Sequence, residues 1–189
     1  MEFKLLFDSA NKNDILLLIG NGSSDEQILR ELFPKFDGLK YSVALSASPQ
    51  PYRRSTGLTS TINSLSLLMH KSIKPQRVII VIDREHVKDK TTIERTIREH
   101  GFEIIEDIQL EERAFKLILS RGGFKFTLYI AVMGETKSIE EDIAKLEKLV
   151  YGDKEGRSPK RIVRKADYTH LADVFSNIYK IVEDIEKEE

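Results

Sequence analysis

Five consecutive apolar residues, Val78-Ile79-Ile80-Val81-Ile82, lie between Arg77 and Asp83 and leave the chain few ways to fold. An unbroken apolar run of this length suits a parallel strand covered on both faces, where side chains of either parity must be buried. A second run, Ile15 to Ile19, has the same character. Each ends abruptly in polar residues: the first in Gly20-Asn21-Gly22-Ser23-Ser24, the second in Asp83-Arg84-Glu85. In open α/β sheets the functional groups lie just beyond the carboxyl ends of the strands, so these two ends are the first places to look for a site.

The rest of the chain reads as alternating elements. Glu2 to Asp8 alternates roughly apolar and polar before the turn Asn11-Lys12-Asn13-Asp14, a pattern that predicts a hairpin feeding the Ile15–Ile19 strand. Asp25 to Phe36 has Ile28, Leu29, Leu32 and Phe33 at helical spacing, Ser23 or Ser24 as N-cap, and Pro34 at its end. A short strand is expected at Tyr41–Leu45, a long Ser/Pro/Gly-rich loop at 46–60, and helices at Thr61–Ile73 and Thr91–His100. From Phe102 the period becomes that of strands: Phe102–Leu110, Ala114–Ser120 and Phe124–Val132, the last two joined through Arg121-Gly122-Gly123 as a hairpin. Ser138–Val150 predicts a helix started by Ser138, Glu140 and Glu141, followed by a basic loop at 151–165 and a closing helix from Asp167 to Glu186. Apolar residues at helical spacing in 139–150 and 171–185 read as core or as the contact of a homo-oligomer. This order predicts an α/β fold with a mixed, mostly parallel sheet, helices on both faces and a β-hairpin region toward the C-terminal side. A single domain is expected, with its core at about 14–150.

Composition narrows the function classes. A net charge of −1 gives no bulk attraction to nucleic acid, so such binding needs a local basic patch. The chain has no cysteine, which removes disulfides and thiolate metal sites and fits a reducing cytoplasm. No apolar run approaches the ~18 residues of a membrane span, so no membrane partner is expected. His70, His86, His100 and His170 have no ligand-type spacing that suggests zinc, and His86 within DREHVKDK reads as a surface residue. The serines near 55–66 have no His–Asp partners in pattern, so serine-hydrolase chemistry is not indicated.

The two strand ends carry the chemistry. Along an extended strand residues two apart point the same way, so Asp83 and Glu85 can converge and offer the hard oxygens that magnesium prefers. Asn21-Gly22-Ser23-Ser24-Asp25-Glu26 resembles the first motif of the Toprim domain, which reads Glu-Gly-x-x-Asp between a strand and a helix. Val78 to Glu85 is similar to the second Toprim motif, a buried strand ending in Asp-x-Asp. The strand Thr127–Val132 with Met133-Gly134-Glu135, and Lys165-Ala166-Asp167, resemble later parts of small Toprim-like proteins.

The resemblance implies a Toprim/Rossmann-like scaffold, Mg²⁺ at Asp83 and Glu85, and a phosphodiester substrate in nucleic acid. It also implies a catalytic role at Asn21, where the family motif has Glu. An amide exchanges no proton near neutral pH, so Asn21 can hold an ion or phosphate but cannot act as general acid or base. Asp25, Glu26 or Glu135 would then have to move the proton.

Plainer accounts stand beside these. NGSSDE is also a well-capped strand-to-helix turn, in which Gly22, Ser23 and Ser24 can cradle a phosphate at the helix N-terminus while Asp25 and Glu26 repel it. The third glycine of a dinucleotide fingerprint is missing. Arg53 and Arg54 beside Tyr52, together with Lys160, Arg161 and Lys165, are candidate phosphate contacts or simply solvated charge. Two further functions fit the same pattern: a non-enzymatic module for nucleic acid or a protein partner, and a nucleotide sensor using 20–24 and 46–60.

Overall fold

The computed structural model describes residues 3–5, 15–20, 23–35, 43–46, 57–70, 74–153 and 156–188. The strands are β1 (Phe3–Leu5), β2 (Ile15–Ile19), β3 (Val43–Ser46), β4 (Arg77–Asp83), β5 (Glu103–Glu111), β6 (Ala114–Arg121) and β7 (Phe124–Met133). The helices are α1 (Ser23–Leu32), α2 (Leu58–His70), α3 (Lys90–Glu99), α4 (Ile139–Tyr151), α5 (Pro159–Lys165), α6 (Tyr168–Val174) and α7 (Ser176–Lys187). Short 3₁₀ turns follow α1 at Phe33–Lys35, where Pro34 cannot continue the helix, and β4 at Arg84–His86.

The strands form one sheet in the order β1-β3-β2-β4-β7-β6-β5. Pairing is parallel from β1 through β7 and antiparallel for β7-β6 and β6-β5. The β6–β7 turn is made by Gly122 and Gly123, both at positive φ, which most side chains resist.

The unbroken apolar runs are explained by burial on both sides. In β4, Ile79 and Val81 enter one core layer, whereas Val78, Ile80 and Ile82 enter the other. The first layer is closed by Ile28, Leu29 and Leu32 of α1 and by apolar residues of α4 to α7. The second is closed by Leu58, Ile62 and Leu65 of α2 and Ile93 and Ile97 of α3. Ile139, Ile143, Leu146, Leu171 and Ile178 therefore fill this chain's own core. No helix among the described residues is long and apolar enough to cross a membrane.

Four expectations are corrected. β1 does not form a hairpin with β2; it lies at the sheet edge, parallel to β3, with Phe3 opposite Val43. The expected basic loop at 151–165 contains α5, whose Ile162 and Val163 are buried against the core. The expected loop at 46–60 gives way to α2 at Leu58, and its residues 47–56 lie outside the described residues. The closing helix is broken at Phe175 into α6 and α7. There Asn177, fully buried, donates from Nδ2 to the Val132 carbonyl at 2.7 Å, anchoring the start of α7 to β7.

Candidate functional site

Parallel pairing of β2 with β4, with Ile19 opposite Val81, brings the two polar strand ends side by side. Gly20 continues the contact, its N–H donating to the Val81 carbonyl at 2.8 Å and its own carbonyl accepting from Gly57 N at 2.7 Å. A side-chain carbon at Gly20 would meet Thr61 Oγ1 at 3.0 Å and Ile82 at 3.1 Å, so the start of α2 seats closely on the end of β2. Asn21, Gly22, Arg53 and Arg54 lie outside the described residues. Ser23 and Ser24 open α1, but the described part of that turn begins, for side chains, at Asp25.

Asp25 and Asp83 are both buried, at 3% and 6% exposure. Asp83 Oδ1 accepts from Ile139 N at 3.0 Å, so a strand-end carboxylate caps the first turn of α4. Burial, helped by the charges of Asp25, Glu140 and Glu85, pushes the Asp83 carboxyl up to about 7 against the pull of that hydrogen bond. Glu85 sits on the 3₁₀ turn with an exposed side chain, 3.8 Å from His86 Nε2, and its backbone N–H donates to the Lys137 carbonyl at 2.9 Å. Glu85 thus contributes a charge to the rim, while Asp25 supplies the second buried carboxylate. Among the described residues no group of three or more His, Cys, Asp or Glu side chains has the arrangement of a metal-ligand set.

The other wall of the rim is the loop from β7 to α4. Gly134 has φ +74, and a side chain there would overlap the Ser138 backbone. Its N–H donates to Asp142 Oδ2 at 2.6 Å. The N–H groups of Glu135, Thr136 and Lys137 all donate to Glu141 Oε2, at 2.8, 2.9 and 3.2 Å. These bonds, with that from the Thr136 hydroxyl, pull the Glu141 carboxyl down to about 2. Burial instead raises Asp142, against the bond from Gly134 N and the Arg113 guanidinium 3.0 Å away. Ser138, expected to cap α4, makes no side-chain capping bond; Asp83 takes that role at Ile139 N, and Glu141 closes the loop before the helix. The sequence pattern marks Glu141 as a helix-start residue, for cap and dipole, and carries no expectation for Asp142. Their signal is the acidic triplet Glu140-Glu141-Asp142, one residue after Gly134-Glu135-Thr136-Lys137-Ser138.

The basic residues of α5 are not part of this rim. Arg164 grips Glu31 with two bonds of 2.7 Å, and Lys160 lies 3.3 Å from the same carboxylate. Those contacts hold α5 to α1, and the Arg164 bonds draw Glu31 below its usual range. Glu31 is six residues past Asp25, about 9 Å along the helix axis. Arg161 and Lys165 remain exposed on α5. No protein-family model, curated protein or solved structure matches the chain.

Proposed function

We propose that this chain is a Toprim-like module that binds a divalent cation, Mg²⁺ in the first instance, together with a phosphate-bearing ligand, nucleic acid or nucleotide, at the β2–β4 rim. Binding rather than strand cleavage is the function. The supporting observation is the pair of buried carboxylates, Asp25 and Asp83, brought together at adjacent parallel strand ends, with Asp83 raised to about 7 partly by the charge of Asp25. Like charges held out of water are destabilising, and a cation offsets both. Hard carboxylate oxygens fit Mg²⁺, and the exposed Glu85 can complete the shell through water or directly; Asn21, a candidate from the sequence, offers a further amide oxygen. A bound cation would supply charge neutralisation for a phosphate. Asn21 offers no proton transfer, and of the alternative acids Glu26 is paired with Arg30 and Glu135 with Lys145.

The test is thermal unfolding of wild type and Asp83→Asn with and without Mg²⁺ or Mn²⁺. Asparagine keeps an oxygen for Ile139 N and removes the charge. The cation should raise the wild-type Tm and leave the variant unchanged, while neither protein cuts single- or double-stranded DNA or RNA. An identical cation response in both proteins would sink the site, and Asp83-dependent cleavage would replace binding with catalysis.

A further inference from the structure

A second candidate site lies beside the rim: a cavity of about 1010 Å³ between the β4 end, α4, the β5–β6 turn and the α6–α7 junction. Its size is at the upper end of small-molecule pockets, which run to ~1,000 Å³.

Its charges are mixed, and the unmatched ones sort by element. Some are already matched within the protein: Arg113 with Asp142, Lys145 with Glu135, and Glu111, which accepts from Ser176 Oγ at 3.0 Å. Four side chains lining the cavity have no ion-pair or hydrogen-bond partner among the described residues: Arg84, Lys148, Glu112 and Asp173. The two cations come from the end of β4 and from α4; the two carboxylates come from the β5–β6 turn and the end of α6. Leu149, exposed at 47%, and Val174 supply apolar surface in the same cavity.

This polarity decides the ligand class. A phosphate or nucleic-acid strand drawn to Arg84 and Lys148 would also face Glu111, Glu112 and Asp173, and like-charge contacts in a cleft oppose it. A cationic ligand meets the reverse problem. A molecule carrying both signs satisfies both walls. We propose that the cavity binds a small amphoteric molecule of the class of short peptides with free termini. Its carboxylate is held by Arg84 and Lys148, its ammonium by Glu112 and Asp173, and its apolar body by Leu149 and Val174. None of these groups is Asp25, Asp83 or Glu85, so the proposal does not require a cation at the rim.

The test is isothermal titration calorimetry of the full chain, in chelator, with three probes: the tripeptide Ala-Leu-Ala, its N-acetylated form and its C-amidated form. The free peptide should bind, and each blocked form should bind at least roughly tenfold more weakly, since each loses a charge-assisted contact. Lys148→Gln and Asp173→Asn sit on exposed helix positions and should fold normally. Each should weaken the free peptide by a similar factor, whereas Asp83→Asn should bind it like wild type. The proposal is overturned if the free peptide shows no heat of binding into the millimolar range. It is equally overturned if blocked and free peptides bind alike, or if both charge-removing variants bind as wild type does.

Discussion

At the scale of single residues, Asp83 and Gly134 set the rim. Asp83 titrates near 7 in the folded chain against about 3.8 for an ordinary aspartate. Between those values the folded state binds more protons than the unfolded state, so this group makes stability fall as pH rises from about 4 to about 7. Asp83→Asn removes that dependence. Its stability advantage over wild type should be near zero at pH 4, grow to ~1–3 kcal/mol by neutral pH and then level off. Urea unfolding of both proteins across that range checks it, and a constant difference would refute the assignment. Gly134→Ala meets both a positive φ and the Ser138 backbone, so it should cost at least ~2 kcal/mol and disturb the cap that Ile139 N makes with Asp83. Much of this was not legible in the sequence. Asp83 stood out as a strand-end acid, but its partner Ile139 is 56 residues away, and no local pattern marks such a bond.

At the scale of elements, the break between α6 and α7 illustrates the same limit. The apolar spacing from Leu171 to Ile185 is helical throughout and gives no sign of interruption. The interruption comes from β7, whose Val132 carbonyl is claimed by buried Asn177. Asn177→Leu leaves that carbonyl without its donor and should lower stability by ~1–3 kcal/mol, read as a shift in the urea midpoint. A neutral result would mean the carbonyl is otherwise satisfied. Strand β5 shows a different device. It is the sheet edge, with a register shift between Ile104 and Glu106 and another between Gln109 and Glu111. Its exposed Glu103 and Glu106 add repulsion between copies. Bulges and charges of this sort keep an edge from recruiting further strands.

At the scale of the whole molecule, the far end of the sheet is tied together by α7. Lys116 of β6 lies 2.8 Å from Asp184 and 2.7 Å from Glu188, Arg77 of β4 lies 3.0 Å from Glu188, and the Tyr129 hydroxyl of β7 donates to Asp184 at 2.8 Å. Three strands thus share two carboxylates, one on α7 and one on the residue that ends it. Burial lowers the Lys116 pKa and the two carboxylates more than reverse it, so the ammonium stays charged. Asp184→Asn with Glu188→Gln leaves that ammonium half-buried and unpaired, at an expected loss of ~1–3 kcal/mol. Adding Lys116→Met should restore most of it, because the uncompensated charge is then gone. Failure of the triple variant to recover would assign the loss to packing of α7 instead.

The sequence by itself determined where the central strands lie and that both sheet faces are covered. Continuous apolar runs, glycine turns and helical spacing are local signals, and each reports directly on burial or backbone conformation. Tertiary structure alone decided which groups meet. It placed β1 parallel to β3 and turned Lys160 and Arg164 toward Glu31. It also buried Asp25 beside Asp83 and closed the β7–α4 loop on Glu141. All four depend on contacts between elements remote in sequence, or on the direction of a side chain, and local pattern fixes neither.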